Sequence, residues 1–137
     1  MRQADQEECW AAGVDPYTAL ADSRKRSDRS HEVWRNNDLL CEWGYRTDSF
    51  LLRSASVWML SFAPMEKYKV FAARESARLL ECLFLTYETL RCEVHAKHTL
   101  ACRWLLWLGF SVDAIVSLPN RELFYVMKME RGAQWDC

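Results

Sequence analysis

Between positions 66 and 90 the apolar residues Phe71, Ala73, Ala77, Leu80, Leu83, Phe84 and Tyr87 recur at three- and four-residue spacing. That period lines one side of an α-helix with apolar surface, and the stripe has to be covered by another layer. The flanking segments supply that layer. Positions 54–62 hold Val57, Trp58, Met59 and Leu60 in a near-continuous apolar run, which suits a central strand covered on both faces. Pro64 ends it, because proline cannot donate to a strand ladder. Positions 91–95 read as a short strand on the far side of the helix.

The remaining elements follow from punctuation. Positions 5–12 read as a short helix ended near Gly13, and Asp15-Pro16 opens a second, the carboxylate as N-cap and the proline in the first turn. That helix runs to about Lys25, and positions 24–30 read as a solvated, mostly basic loop. A strand begins at His31 and ends at Asn36, Asn36-Asn37-Asp38 makes its turn, and positions 39–46 return as its hairpin partner. After the strand at 91–95, positions 98–108 form a helix whose one interior charge is Arg103, so it needs cover on more than one side. Positions 110–117 and 122–130 close the chain as a hairpin around Leu118-Pro119-Asn120-Arg121. The order predicts an α+β fold with a mostly antiparallel sheet flanked by helices.

A length of 137 residues suits a single domain, here 1–130, followed by a loose tail at 131–137. Half of the residues are apolar, enough to offset the entropy of ordering the chain. The formal net charge of -1 gives no positive field to gather nucleic acid or an anionic membrane surface. The basic cluster at 24–29 has no interleaved aromatics for base stacking, so it too reads as a solvated face. No apolar run is long enough to span a bilayer. The opening Met1-Arg2-Gln3-Ala4-Asp5 is no secretory signal, so the six cysteines are expected as thiols in a cytoplasm. Seven tryptophans are many for this length, and Trp104 and Trp107 lie on different sides of one helix, where either one faces a partner or both pack in the core under the sheet.

Cys92, His95, His98 and Cys102 are zinc-type ligands within one short stretch. Their spacing opposes a shared ion, since Cys92 and His95 point to opposite faces of a strand and Cys102 sits a turn into a helix. No metal is expected, and the thiols read as small core hydrophobes. His98 reads as a capping or loop residue.

The stretch from Val94 to Phe110 resembles the GNAT acetyltransferase segment N-x-x-A-x-x-x-Y-x-x-x-G-F: His98 falls on the Asn position, and Ala101, Gly109 and Phe110 match. The element order around it also resembles a GNAT domain. More narrowly, Asp15-Pro16, Trp34, Trp43-Gly44, Trp58-Met59-Leu60 and Arg103-Trp104-Leu105 are similar to the GNAT-like internal virion proteins of short-tailed lytic phages. Three departures accompany the likeness. The family's first strand has no counterpart here, which would leave the strand from His31 to Asn36 as an open edge for another chain. The family's Gly-rich phosphate loop corresponds to Phe62-Ala63-Pro64-Met65-Glu66-Lys67-Tyr68-Lys69, and no glycine stands between Gly44 and Gly109. Leu105 occupies the position of the family's tyrosine acid.

The resemblance implies acetyl-CoA as cofactor, contacted by Leu60, Ser61, Phe62, Lys67, Lys69, His98 and Trp104. Glu42 and His98 are the candidates for proton transfer, although Glu42, like Asp48, also reads as a solvent-facing charge. It further implies a protein acting through contacts with a phage or host protein in virion assembly, in the host cytoplasm or the virion. The other reading is an active N-acetyltransferase acting on an amine.

Overall fold

Asn36 and Asn37 both take positive φ, 49° and 67°, the backbone of a two-residue turn whose twist matches the strands on either side. They join β1 (Arg29–Arg35) to β2 (Asp38–Ser49), and β3 (Ser54–Ser61) continues the meander. The computed structural model describes residues 1–132. Ahead of the meander stand α1 (Gln3–Ala11) and α2 (Pro16–Arg26). The Asp15 carboxylate caps α2 by accepting from the Thr18 backbone N–H at 3.1 Å, as Asp15-Pro16 predicts.

Several element boundaries differ from the sequence reading, most of all around two segments. The basic segment 24–30 is no free loop: Arg24, Lys25 and Arg26 form the last turn of α2, where cations favour the helix C-terminus, and Arg29 already lies in β1. The helix expected over 66–90 is shorter. A 3-10 turn (Ala63–Tyr68) precedes α3 (Lys69–Phe84), and β4 (Thr89–His95) takes the rest. Tyr87 and Leu90 continue the apolar spacing beyond the helix because both bury in the same core from a loop and a strand.

After β4 come α4 (Thr99–Leu108), β5 (Ser111–Ser117) and β6 (Leu123–Glu130). Gly109 ends α4 at φ 115°, a left-handed conformation that glycine adopts without penalty. The six strands form one sheet in the order β1-β2-β3-β4-β6-β5. Every neighbouring pair is antiparallel except β3 and β4, which are parallel.

α3 and α4 share one face of the sheet. Leu80, Leu83 and Phe84 of α3 and Leu108 of α4 join Ala55, Leu90, Val94, Met127 and Met129 in one core. α2 covers the other face, with α1 beside it. The cover expected on more than one side of α4 is not found: Leu100, Leu106 and Trp107 are exposed, Trp107 by 66%. At the chain's end Arg131 is tied back, its N–H donating to Glu88 O and its guanidinium to Tyr87 O. Residues 133–137 of the expected tail lie outside the described residues. Among the described residues no helix is long and apolar enough to cross a membrane.

Candidate active site

The parallel pair β3–β4 holds together for three residues only, Ser54–Thr89, Ala55–Leu90 and Ser56–Arg91. Beyond them the strands part, which leaves the backbone of 57–61 and 92–95 without a ladder between them. Buried backbone polar groups have to find partners, and α1 provides some. The Arg2 N–H donates to Ser61 O at 2.8 Å, at the end of β3. The His95 N–H, at the end of β4, donates to Glu8 Oε2 at 2.8 Å. One helix thus bridges the wedge at its open end, and Asn120 of the β5–β6 turn fixes that helix by donating to Ala11 O.

A cavity of about 1040 Å3 runs through the wedge. Its walls come from Asp5 and Glu8 on α1, Trp58 to Ser61 on β3, Ala72 and Leu80 on α3, Cys92 and Val94 on β4, and Ala101, Trp104 and Leu105 on α4. Among the described residues two buried side-chain polar atoms have no hydrogen-bond partner, Ser61 Oγ and His98 Nε2. Both residues stand on the walls of this cavity. An unpaired buried polar atom costs about 1–3 kcal/mol, and a polar ligand in the cavity would offset that cost at Ser61 Oγ.

His98 is the N-cap of α4, as its position suggests. Its Nδ1 accepts from the Ala101 N–H at 3.4 Å, so in this arrangement the proton sits on Nε2. Asp5 Oδ1 lies 3.6 Å from Nε2, an ion-pair distance just beyond a hydrogen bond. The Asp5 carboxylate raises the His98 pKa above its ordinary 6.5, against burial, which lowers it, and the charge of Glu8 adds to the rise. Burial raises the Glu8 pKa above its ordinary 4.5, while the His95 N–H works in the opposite direction. Its second oxygen, Oε1, makes no hydrogen bond among the described residues. A half-buried carboxyl and an imidazole lining one cavity are the groups that could carry protons there.

The thiols on these walls are poor nucleophiles. Burial pushes Cys41 and Cys92 up to about 12 and also raises Cys9, so none is a thiolate at neutral pH. Cys92, His95, His98 and Cys102 each have separate surroundings: His95 Nε2 meets Glu122 Oε2 at 2.6 Å, and Cys102 Sγ faces the His95 carbonyl at 3.7 Å.

The cavity walls bring together Leu60, Ser61, Lys69, His98 and Trp104 of the residues expected to contact a cofactor, and not Phe62 or Lys67. Glu42 is no solvent-facing charge. It is 4% exposed because Arg24 Nε reaches down from α2 and donates to both of its carboxylate oxygens at 2.9 and 2.7 Å, and it is not part of the cavity wall. Asp48 is exposed. Sequence reasoning missed Asp5 and Glu8, since a short helix reading Gln-Ala-Asp-Gln-Glu-Glu looks solvated. Their three-residue spacing, which puts them on one helix face, was the available signal.

Solved acetyltransferase structures share the fold of this chain. Spermidine N-acetyltransferase from Vibrio cholerae in complex with CoA and spermine is 14% identical, covers 88% of this chain and 77% of its own, and superposes with a TM-score of 0.65. The F149A mutant of that enzyme gives 17% identity, 88% and 76% coverage and a TM-score of 0.66. A chimera of it with a human counterpart gives 17%, 88%, 78% and 0.67. The fold is that of the GNAT acetyltransferases. No protein-family model and no curated protein sequence matches the chain, and at these identities the likeness is one of fold.

Proposed function

We propose that this chain is an acetyl-CoA-dependent N-acetyltransferase whose acceptor is an amine. The observation that carries the reading is the wedge cavity, with the unpartnered Ser61 Oγ and the Asp5-paired His98 Nε2 among its lining. Ser61, His98 and the apolar walls of the wedge would hold the thiol end and pantetheine arm of CoA. The 3-10 turn at Ala63–Tyr68 lacks the glycines of a close backbone cradle, so Lys69 and Arg103, which both line the cavity, would hold the phosphates by side-chain charge.

When bound, acetyl-CoA supplies a thioester carbonyl carbon open to nucleophilic attack. The carboxylates of Asp5 and Glu8 draw a cationic amine into the wedge from the α1 face. Glu8 takes a proton from the attacking nitrogen as the N–C bond forms. His98 Nε2 delivers a proton to the sulfur as the C–S bond breaks, the task that Leu105 cannot perform. With the neighbouring thiols protonated, transfer is direct and positioning supplies most of the rate.

Differential scanning fluorimetry with acetyl-CoA and with CoA tests this, since a ligand bound only by the folded chain stabilises it by about 2.7 kcal/mol at a hundredfold excess over Kd. A raised Tm, together with acetylation of a polyamine or lysine-peptide panel, is expected. An unchanged Tm at millimolar ligand removes the enzyme reading. It would leave the second reading, a contact-making protein of phage particle assembly, which the glycine-free loop and the exposed Trp107 favour.

A further inference from the structure

We propose, resting on the enzyme reading, that the acceptor amine carries a carboxylate at its other end, held by Arg26, Arg46 and Arg91. The register of three neighbouring strands brings two of these together. Arg46 of β2 pairs with Ser56 of β3, and Ser56 pairs with Arg91 of β4. The three side chains form one row across the sheet at the closed end of the wedge, where β3 and β4 still pair, with the serine in the middle.

Their neighbours fix the face on which this row stands. Tyr45, Ala55 and Leu90, each one residue earlier in its strand, pack in the core under α3 and α4. Successive side chains of a strand point to opposite faces, so Arg46, Ser56 and Arg91 stand on the α1/α2 face. Trp58 follows on that face, its Nε1 donating to Ser27 Oγ just past α2. Arg26, in the last turn of α2, lines the same cavity as the row.

That cavity also holds Asp5 and Glu8, so its α1/α2 side is polarised along the strands. At the open end stand the two carboxylates, with Glu93 midway along β4, against one guanidinium, Arg2, which Asp5 engages at 3.3 Å. At the closed end stand three guanidiniums. Asp113 meets Arg91 at 3.2 Å, and Asp48 meets Arg46 at 3.6 Å while accepting from Ser56 Oγ at 2.5 Å. Neither carboxylate lines the cavity, and a guanidinium has donors to spare for a second anion. Among the described residues Arg26 has no ion-pair partner.

A ligand with an ammonium group at one end and a carboxylate at the other matches this polarity, since paired guanidiniums suit a planar carboxylate. A polyamine, cationic at both ends, would set its second charge against three arginines. The length follows from the strand. Glu8 is bonded to the His95 N–H, and Arg91 lies four residues back along β4, about 13 Å at the rise of a strand. Four extended residues span about the same length, so a short peptide fits, its free amino terminus at Glu8 and its carboxylate over Ser56.

Tetraglycine and tetraglycinamide test this, because they differ only in the terminal charge. With acetyl-CoA, kcat/KM for tetraglycine should exceed that for tetraglycinamide about tenfold or more, the worth of one charge-assisted hydrogen bond. Arg91→Gln and, separately, Arg26→Gln should bring that ratio towards one by raising KM for tetraglycine. If Arg91→Gln does not fold, Arg26→Gln, at the exposed end of α2, decides. Equal values for the two peptides, acetylation of neither, or a ratio that survives substitution overturns the proposal. The rise in Tm with acetyl-CoA reports on the enzyme reading by itself: where it is seen, those outcomes remove the carboxylate site and leave the enzyme, and where it is absent both fall.

Discussion

The side chains that give the wedge its chemistry are individually unremarkable in type, and their place makes them useful. Glu8 sits where its carboxyl is half-buried and fixed by the His95 N–H, so Glu8→Gln keeps the shape and removes the base. Acetyl transfer should fall about 10²–10⁴-fold, while the rise in Tm with acetyl-CoA persists; loss of both would place Glu8 in the architecture. The Asp5–His98 pair makes a pH-dependent prediction. Because the folded pKa of His98 is raised above 6.5, its stabilisation is complete below that pH and drains away as pH rises through the folded value. Glu8, also raised, slopes the same way from above its ordinary 4.5, and Arg2 opposes the His98 rise. Asp5→Asn should flatten the fall in Tm between about pH 6 and 8; an unaltered slope would show that Asp5 does not control His98.

At the scale of the element, the hairpin of β1 and β2 shows how one small residue sets a strand crossing. A Cβ placed on Gly44 would stand 2.8 Å from the Arg29 carbonyl oxygen and 2.7 Å from Trp58 Nε1, and Trp58 is held by its own bond to Ser27 Oγ at 2.6 Å. Neither neighbour can move freely. Gly44→Ala should therefore cost about 1–3 kcal/mol, seen as a lower midpoint in urea with the slope unchanged. Elements with a local signal were legible: Asp15-Pro16 for the start of α2, Asn36-Asn37 for the turn, and the apolar stripe for α3. The C-terminal limit of α3 was not, because Tyr87 and Leu90 prolong its spacing for reasons of burial, not helicity.

For the molecule as a whole, the wedge depends on where the parallel strands stop pairing. Leu90, fully buried and opposite Ala55 in the middle pair of the ladder, anchors the closed end. Leu90→Ala should cost about 2–5 kcal/mol in urea unfolding. It should also weaken the acetyl-CoA response more than Gly44→Ala, which acts on the far hairpin; equal effects would mean that the wedge does not depend on this anchor.

The sequence by itself determined the element order, the caps and turns, the long amphipathic helix and, through His98, Ala101, Gly109 and Phe110, the likeness to the GNAT fold. Those are matters of spacing and local hydrogen bonding, carried by residues close together in the chain. Only the tertiary structure decided that Glu42 is buried under Arg24, that α1 spans the parted strands, and that Asp5, Glu8, Ser61 and His98 share one cavity. Residues from α1, β3, β4 and α4 meet there because the sheet opens between β3 and β4. Such a site is set by the packing of distant segments, and a carboxylate on a short polar helix carries no local mark of the burial that awaits it.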